Sequence, residues 1–316
     1  MTPLDAAWSA LLASPDDDAA LRVLGDALLD AGDPHGELIQ LQLAPDVDRE
    51  LVDRHVATHA ARLLGDERRL LAWSLSFARG FVFAAGPLIE PAELDALLGL
   101  PIAKLLRRLR LEEVSPQLVE RLLAHAPAAL EELWLVGAAS TRQPGAESTG
   151  QPIAPLLATL PHLETLLLQG LRPDFTDARS ARLELLFLDA QAGVRGLESA
   201  RLEALRELTV TLPFRQLELP LALLAGEVTP KLRHLSVGGA LWPTQLQELA
   251  GSALLRQLEV LTLSVGPETG WYPVLLQNPE RFAHLQRIHL RRDRHHPDWV
   301  ATLKELLPRV HYVGMS

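Results

Sequence analysis

Nine times between Leu106 and Tyr312 the chain returns to Leu-x-x-Leu-x-Leu or a close variant, and no other feature of its 316 residues limits the fold so strongly. The runs begin at Leu106, Leu130, Leu163, Leu183, Leu205, Leu232, Leu258, Leu285 and Leu307, separated by 24, 33, 20, 22, 27, 26, 27 and 22 residues. Alternation within each run marks a short strand whose leucines face one way and whose intervening residues face the other.

Between the runs lie apolar segments of helical character with proline near their ends: 115–127, 152–161, 220–230, 244–255, 273–283 and 297–308. One strand with one helix cannot bury its own apolar side, and stacking such units does so. The longest interval carries the polar run Ser140-Thr-Arg-Gln-Pro-Gly-Ala-Glu-Ser-Thr-Gly150, which reads as a mobile loop inserted into the array.

The pattern resembles the leucine-rich-repeat family over roughly two thirds of the chain. The resemblance implies an α/β solenoid with a parallel strand ladder on its concave face and helices outside. The asparagine that usually follows each strand in that family is missing, its place falling near Gly137, Leu171, Ala190 or Gly239. On the concave face the alternation predicts two zones. Trp134, Val136, Leu167, Leu185 and Phe187 form an apolar patch, and Arg287, His289, Arg291, Arg309 and His311 form a basic end. Apolar patches with Trp, and arginines, are common at protein interfaces.

Ahead of the repeats, Ser14 to Gln42 places seven carboxylates around a short apolar run. Ser14-Pro15 reads as an N-cap and first-turn pair, and Asp16, Asp17 and Asp18 as first-turn acids that complement a helix dipole. Leu21, Leu24, Leu28 and Leu29 recur at helical spacing, and Ala31-Gly32-Asp33-Pro34 ends that helix. The alternating oxygen ligands and closing Glu of a calcium loop are not there.

The same stretch resembles a short bacterial domain, the repeat-companion domain, which precedes degenerate leucine-rich repeats. Its hallmarks stand here as Ser14-Pro-Asp-Asp-Asp18, Asp26 and Gly32-Asp-Pro-His-Gly-Glu-Leu-Ile-Gln-Leu-Gln42, although Ala27 replaces the aromatic that usually follows the Asp. Arg54-His55, Leu63-Leu64-Gly65 and Phe77-Ala-Arg-Gly-Phe81 fit what joins that domain to its repeats. The expected division is therefore a helical companion and capping region over residues 1–70 and a repeat region over 71–316. The resemblance implies architecture and carries no activity.

Candidate chemistry is sparse. The chain has no cysteine, which removes disulfides, thiolate metal sites and the cysteine nucleophile of the ubiquitin ligases found among bacterial leucine-rich proteins. Phosphate-binding glycine loops, Gly-x-Ser-x-Gly and His-Glu-x-x-His are absent. His55 and His59 stand four residues apart, but Val56 occupies the place of a metallopeptidase glutamate and no third ligand is evident in sequence, so they read as a solvated helix face. Arg291-Arg-Asp-Arg-His-His-Pro-Asp298 reads as a charged turn, with metal binding as the weaker alternative.

A net charge of -10 disfavours nucleic acid and anionic membranes as general partners. The charge is unevenly spread. The first fifty residues set eleven acids against two arginines, a net of -9, and residues 281–316 set seven Lys or Arg against three acids, a net of +4. No secretory signal pattern and no membrane-length apolar run is present, which predicts a cytoplasmic protein. The reading is a non-catalytic protein-binding scaffold that needs no cofactor or metal and binds an unidentified protein on the concave face. The alternatives are nucleic-acid or acidic-partner binding at the basic end and, behind that, a metal-dependent enzyme.

Overall fold

The computed structural model describes residues 2–65, 75–138, 150–189, 194–211, 221–238, 243–264, 271–291 and 297–313. The chain forms two compact units, Met1–Leu133 and Trp134–Ser316. It is a mixed α/β protein with a long, mostly parallel strand ladder, and no described helix is long and apolar enough to cross a membrane.

The first unit begins with α1 (Pro3–Ala13), α2 (Asp18–Asp30), α3 (Pro34–Leu43) and α4 (Arg49–Leu63). Side-chain oxygens open each of these helices. Thr2 and Asp5 make a reciprocal capping box on α1, and Asp17, Asp33 and Asp48 cap α2, α3 and α4. Ser14 is not the predicted N-cap of α2. It ends α1, its N–H donating to the carbonyls of Ala10 (3.1 Å) and Leu11 (3.2 Å). Asp17 Oδ1 accepts from Ala19 at 2.8 Å and Ala20 at 3.3 Å, so α2 starts later than the Ser-Pro pair suggests.

Helix α2 stops in a glycine turn. Gly32 has φ +67°, its N–H donates to Leu29 (2.8 Å), and the N–H of Asp33 donates back to Leu28 (2.8 Å). A residue with a side chain is strained at that φ, which accounts for the glycine. Gly36 meets a different demand, because a Cβ there would lie 2.6 Å from the carbonyl oxygen of Gly25 and 2.7 Å from the backbone nitrogen of Leu29. Helices α2 and α3 thus pack backbone to backbone, and Leu21, Leu24, Leu28 and Ile39 join Ala7, Leu11 and Phe81 in one buried cluster. Each fully buried leucine contributes about 1.5 to 3 kcal/mol.

The unit continues with β1 (Ser76–Ala78), β2 (Phe81–Leu88), α5 (Pro91–Leu98), β3 (Arg108–Leu111) and α6 (Pro116–Ala124). Strand β1 runs antiparallel to β2, and β2 runs parallel to β3. The sequence Phe77-Ala-Arg-Gly-Phe81, expected only as a connector, forms the turn of this hairpin.

The second unit takes up the repeat. In chain order come β4 (Glu132–Val136), β5 (Gln151–Pro152), α7 (Ala154–Thr159), β6 (Thr165–Gln169), β7 (Pro173–Asp174), β8 (Arg179–Ser180), β9 (Leu185–Asp189), β10 (Arg201–Leu202) and β11 (Glu207–Thr211). Then follow α8 (Leu221–Leu224), β12 (His234–Gly238), α9 (Pro243–Gly251), α10 (Ala253–Gln257), β13 (Val260–Ser264), α11 (Trp271–Gln277), α12 (Pro279–Phe282), β14 (Arg287–Arg291), α13 (Pro297–Leu306) and β15 (Val310–Val313). The ladder order is β4-β6-β9-β11-β12-β13-β14-β15, and from β6 onward every neighbouring pair is parallel.

Register is strict. Leu166, Leu186, Leu208, Leu235, Leu261 and Ile288 stand opposite one another in a continuous buried column, each at most 1% exposed. A one-residue slip would turn that whole column out to solvent, which is why the hydrophobic pattern fixes the pairing. The return segments differ in kind. Between β6 and β11 the described return residues are extended: β7 pairs back with β5, which precedes β6, β8 pairs with β10, and a 3-10 turn covers Leu197–Ser199. Extended chain covers about 3.3 Å per residue against 1.5 Å in a helix, so short returns span the same height without one. Spacing alone does not decide this, since the equally short 285–307 interval contains α13. Its segment Pro297–Leu306 is a proper helix sequence, whereas the extended returns are broken by Gly170, Pro173 and Gly196.

Candidate functional site

The exposed face of the ladder is built by the alternation that buries the leucines. Trp134, Val136, Leu167, Leu185 and Phe187 are each half-buried, while Leu133, Leu135, Leu166, Leu168, Leu186 and Leu188 between them are buried. Leu167 stands opposite Phe187, Leu185 opposite Thr165, and β4 lies beside β6. The five predicted apolar residues therefore sit on three neighbouring strands. The row ends at β11, where Glu207, Thr209 and Thr211 take the same positions.

The basic residues do not join this group. Arg287 is exposed and His289 half-buried on β14, and three strands separate β14 from β9, roughly 19 Å between the two at the usual strand spacing. Arg309 is exposed and its Nη1 donates to the Leu285 carbonyl at 3.4 Å. The side chains of Arg291 and His311 lie outside the described residues, as do most of the Ser140–Gly150 run and the core of the Arg291–Asp298 turn.

The acidic stretch of the first unit is an arginine anchor. Arg79, in the hairpin turn, donates to the Pro15 carbonyl at 2.8 Å and pairs with Asp18 at 2.6 Å and Asp16 at 3.4 Å. Arg107 pairs with Asp16 and with Glu131, the latter at 2.5 Å. Asp17 is occupied as a cap. Of the three predicted first-turn acids only Asp18 lies in the first turn of α2, Asp17 being its N-cap and Asp16 preceding it, and Asp16 and Asp18 pair with arginines far along the chain. No local sequence signal marks Arg79 or Arg107 as the partners.

The motif Gly32–Gln42 resolves into separate structural tasks. Beyond Gly32, Asp33 and Gly36, the Gln40 Nε2 donates to Asp26 Oδ1 at 3.1 Å. Gln42 grips the hairpin, with Nε2 donating to the Phe77 carbonyl at 3.0 Å. His35 is buried, 4% exposed, edge-on to Phe81 with ring centroids 4.8 Å apart and tilted against Trp8 at 6.1 Å. Lys104 Nζ lies 4.3 Å from the Trp8 ring centroid on the same cluster. Burial pushes the His35 imidazole down to about 4, against the opposing pull of the Asp33 carboxylate and a hydrogen bond with the backbone of Gly80.

His55 is not on a solvated face. It is 7% exposed, and its Nε2 lies 2.9 Å from the carbonyl oxygen of Pro34. His59 is half-buried beside it, ring centroids 4.6 Å apart, and Glu37 Oε2 lies 3.7 Å from His55 Nδ1. Glu37 is the third side chain that the sequence did not reveal, because it comes from a different helix.

A crystal structure of a Bacteroides fragilis protein, solved as a structural-genomics target, is similar to this chain with a TM-score of 0.57 over 84% of this chain and 82% of that one. The two share 16% sequence identity, so the likeness concerns the fold alone. No protein-family model and no curated protein matches the sequence.

Proposed function

We propose that this protein is a non-catalytic protein-binding scaffold of leucine-rich-repeat type, acting in the cytoplasm. In this reading residues 1–70 are its repeat-companion and capping region, and the partner docks on the ladder face at Trp134, Val136, Leu167, Leu185 and Phe187. The observation that carries the reading is the alignment of these large apolar side chains on adjacent strands in positions that the fold leaves only partly buried. A ladder needs only small or polar residues there, as β11 and β12 have at Thr209 and Ser236. Broad apolar surface in that setting is typical of an interface.

The test is affinity capture from the native organism with wild-type protein, Trp134→Ala and Phe187→Ala, each beside a thermal melt. Loss of a captured protein with a melt close to wild type supports docking on this face. Undiminished capture, or loss of about 3 to 5 kcal/mol of stability, shows instead that these residues are core. Capture of nucleic acid that weakens steeply with salt and depends on Arg287 would favour the basic end.

A further inference from the structure

We propose that Glu37, His55 and His59 form a binding site for one zinc-class divalent cation. The argument begins with the buried histidine. A carbonyl oxygen only accepts, so the contact of His55 Nε2 with Pro34 at 2.9 Å fixes the proton on Nε2 and leaves Nδ1 with its lone pair. That lone pair faces Glu37 Oε2 at 3.7 Å, too long for a hydrogen bond. An imidazole that donates one N–H to a backbone carbonyl and turns its other nitrogen toward a carboxylate has the arrangement of a metal ligand with its orienting partner.

The third donor completes the set. His59 follows His55 by one helical turn on α4 and shares its face, and one ligand atom from each of the three residues lies within 4.8 Å of the other two. Ligand atoms around a tetrahedral zinc ion stand ~3.3 Å apart, so closing the site takes a relative shift of at most about 1.5 Å. Glu37 has a side chain 57% exposed and His59 is half-buried, so both can make that shift at little cost, while His55 stays fixed by Pro34. Entry is from the exposed Glu37 side.

Donor chemistry selects the ion. Two imidazoles and one carboxylate suit zinc, cobalt or nickel, whereas magnesium and calcium require oxygen ligands. Three protein ligands leave a fourth position for water or an exogenous ligand. Val56 stands where helical zinc peptidases have their glutamate, so the site supplies a bound cation without that general base. Its structural effect is to tie α3 to α4.

The experiment uses the full chain without a polyhistidine tag, stripped with EDTA and titrated with zinc chloride by calorimetry and with cobalt chloride by visible absorption. Expected are saturable binding of a single equivalent, a cobalt d–d band of low coordination number, a higher Tm with zinc, and no competition from excess magnesium. Glu37→Gln and His59→Ala should each weaken zinc on the order of tenfold or more and leave the metal-free Tm near wild type. Non-saturable binding, or zinc affinity unchanged in both variants, overturns the proposal, the second result placing the ion elsewhere in the chain.

Discussion

Gly80 donates its backbone N–H to the Oε1 of Gln42 across 2.6 Å, joining the turn of the β1–β2 hairpin to the end of α3 over 38 residues of sequence. The Gln42 Nε2 in turn donates to the Phe77 carbonyl at 3.0 Å, so one side chain satisfies a donor and an acceptor on both sides of a turn. Gln42→Ala should cost about 1 to 3 kcal/mol in urea unfolding, since it strips partners from two part-buried backbone groups. Hydrogen exchange at the Gly80 amide should speed up in the same variant. An unchanged midpoint with unchanged exchange would show that the clamp contributes nothing.

Gly36 permits the close approach of α2 and α3, and the atoms a side chain would strike are backbone, which cannot swing aside. Gly36→Ala should therefore destabilise by about 1 to 3 kcal/mol despite improving helix propensity. Chemical denaturation decides the sign. A gain in stability would mean that the two helices separate freely.

His35 sets a pH dependence. Its folded value is about 4 against an ordinary 6.5, so the unfolded chain binds the extra proton first as pH falls. Stability is full above pH 6.5 and is lost progressively toward pH 4, by about 3 kcal/mol from this group. His35 Nε2 is also buried with no hydrogen-bond partner among the described residues, so a phenyl ring in its place gives up only the contact with the Gly80 backbone. His35→Phe gives up the Gly80 hydrogen bond at every pH, but it should lose less stability than wild type as pH falls from 6.5 to 4. Parallel unfolding curves of the two proteins across this range would refute the assignment.

The cap of α2 distinguishes two neighbouring residues. Asp17→Ala should lose about 1 kcal/mol, because the Asp17 carboxylate accepts from two otherwise unpaired N–H groups, and Ser14→Ala should be near neutral, because only the Ser14 backbone is engaged. Thermal melts showing the reverse order would restore Ser14 as the cap.

The misreading of Ser14 has a physical source. A Ser-Pro pair suits a helix start by local rules, but whether the preceding helix has already claimed the serine depends on where α1 ends, and Thr2 and the packing of Leu11 settle that. The histidines failed for a related reason. An i, i+4 pair is visible in sequence, while the burial of His55 against Pro34 and the arrival of Glu37 depend on the docking of α3 on α4. The hairpin at Phe77–Phe81 was missed because its clamp, Gln42, lies on a distant helix.

By itself the sequence determined the strand ladder, its register and the placement of most helices, because a period of two within each run and a leucine at every third contact leave one pairing that keeps all the apolar side chains from water. It also determined that Trp134, Leu167 and Phe187 share the outward face, which follows from alternation alone. Only the tertiary structure decided which acids meet Arg79 and Arg107, why Gly36 must lack a side chain, and that Glu37 stands beside His55 and His59. These are contacts between residues separated by 7 to 91 positions, and no local pattern records them, since each depends on where packing of the leucine faces finally brings the backbones.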